Sequence, residues 1–341
     1  MKSPARGPTP FGNYLLDEMI AEGGMARVFH ARLRGVGGFE KPLVVKQVKP
    51  ELAKDPKFVE MFVQEANTLV QLSHPHIVPV YELGVVDGVY FLAMERVDGA
   101  SLSQMLTLGP IPLGLTARVG AQVAEALHHA HSRFGLVHRD VTPRNVLVDA
   151  AGHVRLVDFG IAAPAEGAEG EVFGSPGYMS PEQLCGGAIG PASDLFSLGV
   201  VLLQCLTGQP VYARDADTMR TQLLEDEPPE VTEELAGDLA PLLRSLLARS
   251  ADARPTSEDA ARRLRSWSSA FSPEGVGPEL GDRARRAAAT VRSDGGGAVT
   301  VTSKKAGEVR TIATSSVLRD ALDEDEDDGE DGPSFTERMP G

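Results

Sequence analysis

Apolar residues near the start of the chain fall in short runs: Tyr14 to Ile20, Arg27 to Leu33 and Pro42 to Gln47. Gly-rich punctuation separates them, as in an antiparallel β-meander. The period then changes. Phe58, Phe62, Ala66 and Leu69 recur at three- and four-residue steps after Pro56, which predicts an amphipathic helix. Two more strands bracket Asp87-Gly88, a hairpin-type turn, and end at Met94. Beyond them Val119, Val123, Ala126, Leu127 and Ala130 share one helix face, and further stripes run through Leu195 to Leu206, Leu235 to Leu247 and Thr256 to Leu264. A small β-rich lobe therefore precedes a larger helical lobe, an α+β arrangement.

The pattern fades near Phe271. After it come Gly-Pro pairs, the Gly295-Gly296-Gly297 run and stretches of Ala, Ser and Thr with few large apolar residues. Such a segment buries too little surface to offset chain entropy, so residues 272–341 are expected to be a disordered tail. Its charge changes sign, basic from Arg283 to Arg319 and almost solidly acidic from Asp320 to Asp331. The whole chain has 341 residues with 42% hydrophobic and 24% charged, a globular composition. Its formal charge of −15 would repel a phosphate backbone, which argues against nucleic-acid binding. Cys185 and Cys205 cannot build a disulfide framework, the first residues lack a secretory apolar stretch, and no apolar run reaches the span of a bilayer, about 18 residues. The expectation is a cytoplasmic protein without a membrane anchor.

Several polar residues interrupt this pattern where a core would not place them. Lys46 ends a strand of apolar residues, where a charge is expensive unless paired, and Glu65 on the following helix is its natural partner. Five motifs then fall in order: Ala21-Glu22-Gly23-Gly24-Met25-Ala26-Arg27-Val28, Val44-Val45-Lys46, Glu65, His138-Arg139-Asp140-Val141-Thr142-Pro143-Arg144-Asn145, and Asp158-Phe159-Gly160. Together they resemble the eukaryotic-type (Hanks-type) protein kinases, with a glycine loop most like that of the bacterial serine/threonine branch. The resemblance covers residues 14–271 and implies a two-lobed kinase fold: an N-terminal extension over 1–13, an N-lobe over 14–95 and a C-lobe over 96–271.

The resemblance also implies roles. ATP and Mg²⁺, with Mn²⁺ an admissible substitute, are the implied cofactors. The loop from Ile20 through Ala21, Glu22, Gly23, Gly24, Met25, Ala26 and Arg27 to Val28 would cover the phosphates, although Ala21 and Ala26 stand where the family usually keeps Gly. Lys46 would contact the α- and β-phosphates while Glu65 holds it. Asp140 would orient the substrate hydroxyl and accept its proton, and Asp158 and Asn145 would hold the metal. Ile20, Val28, Val44 and Leu147 would wall the adenine slot, Met94 would close its back, and the backbone of Glu95 and Val97 would meet the adenine edge. His138, Phe159 and Leu69 read as a packed column linking the lobes. Gly174 to Glu182 looks like the substrate-docking segment, with Asp194 a buried anchor and Arg254 pairing with Glu182.

Three readings of activity follow. The first is an active, non-specific serine/threonine kinase in cytoplasmic signalling, whose partners are protein substrates and an upstream kinase or regulator, with no nucleic acid and no membrane. The second is a pseudokinase scaffold, and the third is a small-molecule phosphotransferase, which the docking segment disfavours. Departures from the family sharpen the picture. Thr142 stands two residues after Asp140, where serine/threonine kinases keep a Lys, and Arg144, four residues after it, is the candidate replacement cation. The segment Ala162 to Phe173 contains no Ser, Thr or Tyr, so activation is expected without a phosphate there. Thr290, Ser293, Thr311, Thr314, Ser315 and Ser316 are candidate autophosphorylation sites in the tail.

Overall fold

The computed structural model describes residues 7–159, 174–269, 273–293 and 309–314. Strands β1 (Thr9–Phe11), β2 (Tyr14–Glu22), β3 (Ala26–Arg34) and β4 (Glu40–Val48) form the meander that the short apolar runs predict. Helix α1 (Pro56–Gln71) follows, with the Asp55 side chain accepting the Lys57 N–H at 2.9 Å and Pro56 opening the first turn. That cap satisfies a terminal donor and fixes where the helix begins. Phe62, Ala66 and Leu69 are its buried face.

Strands β5 (Val80–Val86) and β6 (Val89–Glu95) close around Asp87 (φ 50°) and Gly88 (φ 76°). Two consecutive left-handed residues are what a two-residue type I′ hairpin requires, and Asp-Gly supplies them at low cost. Tyr14, Phe29, Leu43, Val45 and Phe91 pack on one face of the sheet. β6 lies between β4 and β5, with Val44 opposite Met94 and Val28 opposite Lys46. The register thus brings the glycine loop, the lysine strand and the strand ending in the interlobe linker side by side.

The C-lobe begins with β7 (Gly99–Ser101), α2 (Leu102–Leu106) and α3 (Leu113–Phe134). Next, β8 (Val146–Asp149) and β9 (Val154–Leu156) join β7 in a small three-stranded sheet. Then come α4 (Pro181–Leu184), α5 (Pro191–Thr207) and α6 (Ala216–Leu224), followed by α7 (Glu233–Ala236), α8 (Ala240–Leu246) and α9 (Ser257–Ser268). The apolar stripe through Leu195 to Leu206 belongs to α5, which is buried nearly all round. Gly199 lets it approach α8, since a Cβ there would lie 2.9 Å from that of Leu246. The stripe through Leu235 to Leu247 is split at Gly237 (φ 51°), where the left-handed backbone ends α7 before α8 starts.

Both termini depart from the sequence expectation. Thr9–Phe11 of the supposed extension pairs with β2. Within the supposed disordered tail, α10 (Pro273–Ser293) buries Leu280, Ala284 and Ala287 against the C-lobe, and β10 (Val309–Thr314) adds antiparallel to β5 at the edge of the N-lobe sheet. The reason is close approach. Small residues bury little area each, but Gly281 stands so near Ala150 and Gly152 that any side chain there would collide with backbone. Thr290 and Ser293 are therefore helical and Thr311 and Thr314 lie in a strand, so none is the flexible acceptor expected of it. Ser315 and Ser316 lie outside the described residues. Among the described residues, no helix is long and apolar enough to cross a membrane.

Candidate active site

The cleft between the lobes is walled by the half-exposed side chains of Val28, Val44 and Leu147, with Ile20 at its mouth, 48% exposed. Apolar groups left partly open to solvent on facing strands suit a flat aromatic ring. Met94 is buried behind them. The Glu95 N–H donates to the Pro79 carbonyl at 3.0 Å, so an adenine-edge contact from the Glu95 backbone would have to use its carbonyl. Its carboxylate accepts from Arg155 Nη1 at 2.5 Å, which fixes the linker onto β9. Val97 is half-buried in that linker.

The β2–β3 turn is tight: the Gly23 N–H donates to the Ala26 carbonyl at 2.9 Å. The Glu22 carboxylate lies 3.2 Å from Arg27 and 3.4 Å from Lys49, hydrogen-bonded contacts that hold its carboxyl below the usual range. A Cβ on Gly24 would meet nothing within 4 Å. The turn itself therefore does not demand glycine at that position.

The catalytic-loop motif is held from below by Asp194 of α5. Its buried carboxylate accepts the backbone N–H groups of His138 and Arg139 at 2.7 Å each and lies 2.7 Å from His131 Nε2. Arg139 sits at φ 66°, a conformation costly for a non-glycine residue, and these two charge-assisted bonds offset the cost. His138 is fully buried, with its ring 4.5 Å from that of Phe159, and burial pushes its pKa down. Leu69, Met94 and Phe159 line one apolar recess behind the cleft.

Asp140 then emerges with its two oxygens in different surroundings. Oδ2 accepts from Asn145 Nδ2 at 2.8 Å, while Oδ1 is buried and has no hydrogen-bond partner among the described residues. A buried carboxylate oxygen left without a donor is costly, and a hydroxyl brought there would relieve it. Because Asn145 spends its amide N–H on Asp140, its amide oxygen is the atom left for a metal. Asp158, at φ 60°, presents the second carboxylate.

Lys46 and Glu65, expected to pair with each other, take other partners. Lys46 Nζ lies 2.7 Å from Asp158 Oδ1, and Glu65 Oε1 lies 3.6 Å from Arg139 Nη1. The left-handed backbone at Asp158 delivers an anion closer to Lys46 than α1 does, and the half-buried Glu65 lies against Arg139. Both charges are satisfied, but by exchanged partners. No sequence signal distinguishes the two pairings, because all four residues belong to the motifs either way.

Thr142 is buried and its carbonyl accepts the Asn145 N–H at 3.0 Å. Arg144 is exposed and faces the docking segment. There the phenol of Tyr178 is pushed up by burial, against the opposing pull of Arg214, the hydrogen bond to Gln204 and the charge of Arg144. Residues 160–173, including Gly160 and the Ala162 to Phe173 segment, lie outside the described residues. The docking segment is anchored by Glu182, whose carboxylate takes two bonds from Arg254, 2.7 Å from Nη1 and 2.9 Å from Nη2. Sequence reasoning missed Ser193, which donates to Glu182 at 2.7 Å, and Gln183, whose amide donates to the Arg139 carbonyl at 2.9 Å.

Residues 14–264 match the family model for the protein kinase domain. The chain is 37% identical to the tyrosine-protein kinase MasK of Myxococcus xanthus, over 76% of this chain and 43% of MasK. It is 38% identical to the serine/threonine-protein kinase PknA of Mycobacterium tuberculosis, over 72% of this chain and 58% of PknA. With PrkC of Bacillus subtilis, also a serine/threonine-protein kinase, the identity is 34% over 64% of this chain and 34% of PrkC. The chain thus spans between about a third and three fifths of the length of these curated relatives. The crystal structure of the Mycobacterium tuberculosis PknI kinase domain superposes with a TM-score of 0.60 at 26% identity, covering 76% of this chain and 98% of that one.

Proposed function

The chain belongs to the protein kinase family, and from that premise we propose that it transfers the γ-phosphoryl group of ATP to serine and threonine hydroxyls of proteins. The observation that carries this reading is the Asp140 carboxylate, one oxygen held by Asn145 and the other without a hydrogen-bond partner among the described residues. The family implies ATP and a divalent metal. Asp158 and Asn145 offer hard oxygen donors, which fit Mg²⁺ and admit Mn²⁺. When bound, that ion would neutralise charge on the phosphates.

The chain's own residues do the rest. Asp140 Oδ1 receives the substrate hydroxyl and takes its proton as the oxygen attacks phosphorus. Asn145 keeps the carboxylate from turning. Lys46 leaves Asp158 for the phosphates, and Glu65 leaves Arg139 to hold Lys46. Carbonyl and N–H groups of the linker at Glu95 and Val97 position the adenine. Protein substrates, an upstream kinase or regulator and a cytoplasmic signalling role belong to the same proposal.

A second reading, tyrosine as the acceptor, is favoured by the likeness to MasK and by the Thr142 and Arg144 pattern. Retention of Lys46, Glu65, Asp140, Asn145 and Asp158 supports chemistry over a scaffold. The test is incubation with γ-labelled ATP, Mg²⁺ and a generic basic protein. Label on the protein is expected, and none would return the pseudokinase reading.

Two further results are expected. Arg144→Ala should lower kcat at least about tenfold with little change in KM for ATP, as when a contact made only in the transition state is lost. Thr142→Lys should partly restore it, and wild-type turnover from Arg144→Ala would show that this loop works without a cation. Phosphatase-treated protein should keep basal activity, because residues 162–173 contain no hydroxyl acceptor. Abolished activity would instead make Ser175 or Ser180 regulatory.

A further inference from the structure

Helix α10 lies beyond residues 14–264, the part of the chain that matches the kinase family, yet it packs on β7, β8, α2 and α3. Its buried residues include Leu280, Ala284 and Ala287. Glycines bring the backbones closest. A Cβ on Gly281 would fall 2.9 Å from the Ala150 carbonyl carbon, and one on Gly152, at φ 83°, would fall 2.8 Å from that of Gly277. Arg285 donates to the Ala150 carbonyl as well. The helix is thus seated on the turn between β8 and β9, at a contact that a side chain on Gly281 or Gly152 would force apart.

Two routes lead from that seat to the nucleotide cleft. The Ala150 N–H donates to the Asp98 carbonyl at 3.1 Å, and Asp98 follows Val97 in the interlobe linker. The second route runs through α2. Arg283 Nη2 donates to the Met105 carbonyl in the last turn of α2, at 3.3 Å, and to the Gly109 carbonyl beyond it. The carbonyls ending a helix carry its negative partial charge, which a guanidinium offsets. At the other end of α2, Ser101 and Gln104 form a capping box, the Ser101 hydroxyl accepting the Gln104 N–H at 3.2 Å and Gln104 Oε1 accepting the Ser101 N–H at 2.8 Å. Ser101 is also the last residue of β7 and stands opposite Leu147, a wall of the adenine slot. A shift of α2 therefore moves the strand that pairs with that wall.

We infer, resting on the kinase reading for the identity of the nucleotide, that Arg283 is a positioning residue for ATP: from α10 it fixes α2, and with Gly281 on Ala150 it holds the linker and the Leu147 wall at the spacing that receives adenine. Arg283 lies outside the cleft, so its loss should weaken ground state and transition state alike. Such a loss raises KM and leaves kcat nearly unchanged. α2 also touches the catalytic loop, where the Ser103 N–H donates to the Pro143 carbonyl at 2.9 Å. That loop has its own support in Asp194, which holds the N–H groups of His138 and Arg139, so turnover is buffered against a shift of α2.

The test is the full chain carrying Arg283→Met, which keeps an apolar stem and removes both donated bonds. Calorimetric titration with ATP and Mg²⁺ gives Kd, and steady-state kinetics on a protein substrate gives KM and kcat. Kd and KM for ATP should rise at least about fivefold, the effect of one lost charge-assisted bond, with kcat within about twofold of wild type. Arg283→Lys, which keeps a cation able to reach a carbonyl, should recover part of the affinity. Gly281→Ala, which props α10 off Ala150, should weaken ATP in the same direction, and it decides the matter if Arg283→Met does not fold. A lower Tm with unchanged Kd for ATP would make Arg283 merely structural and overturn the inference, as would a fall in kcat at unchanged KM. A wild-type chain that binds ATP but transfers no phosphate overturns the kinase reading and leaves Kd to decide the role of Arg283. One that binds no ATP overturns both.

Discussion

Asp140→Asn should lower kcat by about 10² to 10⁴, the usual contribution of a positioned general base. The substitution keeps the shape of the side chain and its contact with Asn145, so folding and the KM for ATP should change little. What it removes is the proton-accepting oxygen at Oδ1, the buried atom without a partner among the described residues. The backbone beneath it is fixed independently, because Asp194 holds the N–H groups of His138 and Arg139. Steady-state kinetics with a protein substrate checks this, and a fall of less than about tenfold would show that Asp140 is not the base.

Arg254→Met should cost about 3–5 kcal/mol of stability, the range for breaking a buried pair by removing one partner. The Arg254 side chain is 0% exposed and that of Glu182 13%. Arg254 also donates to the carbonyls of Ala192, Ala248 and Arg249, and its guanidinium lies 5.0 Å above the Phe196 ring. Burial pushes the Glu182 carboxyl up, but hydrogen bonds from Arg254 and Ser193 outweigh it and hold the group below its ordinary value. A carboxylate depressed in the folded state stabilises above the unfolded pKa, about 4.3, and that contribution is lost as pH falls through the folded value. Wild type should therefore lose stability more steeply below about pH 4 than Glu182→Gln does. Denaturant unfolding measures both, and a loss of under about 1 kcal/mol for Arg254→Met would make the pair ornamental.

The sequence carried the periodic parts of the fold. Short runs marked β2, β3 and β4, and Asp87-Gly88 marked a turn whose two positive φ angles follow from residue chemistry. The three-and-four spacing of Phe62, Ala66 and Leu69 marked α1. Small-residue packing was not legible. In α10 the buried stripe is Leu280, Ala284 and Ala287, with Gly277 and Gly281 at the closest approach, and such residues resemble linker until a surface is seen to receive them. The strand at Val309–Thr314 depends on an open edge more than two hundred residues away in sequence, which no local pattern encodes. In the site, residue identities could be read from the motifs, but the choice between two ion-pair arrangements could not. It depends on the backbone conformation at Asp158 and on where α1 sits.

Which hydroxyl receives the phosphate decides between the serine/threonine and tyrosine readings. The most direct measurement is phosphoamino-acid analysis of a generic protein substrate and of the chain itself after incubation with γ-labelled ATP and Mg²⁺. Label is expected in phosphoserine and phosphothreonine. Label confined to phosphotyrosine, or no label above that of Asp140→Asn, would contradict it.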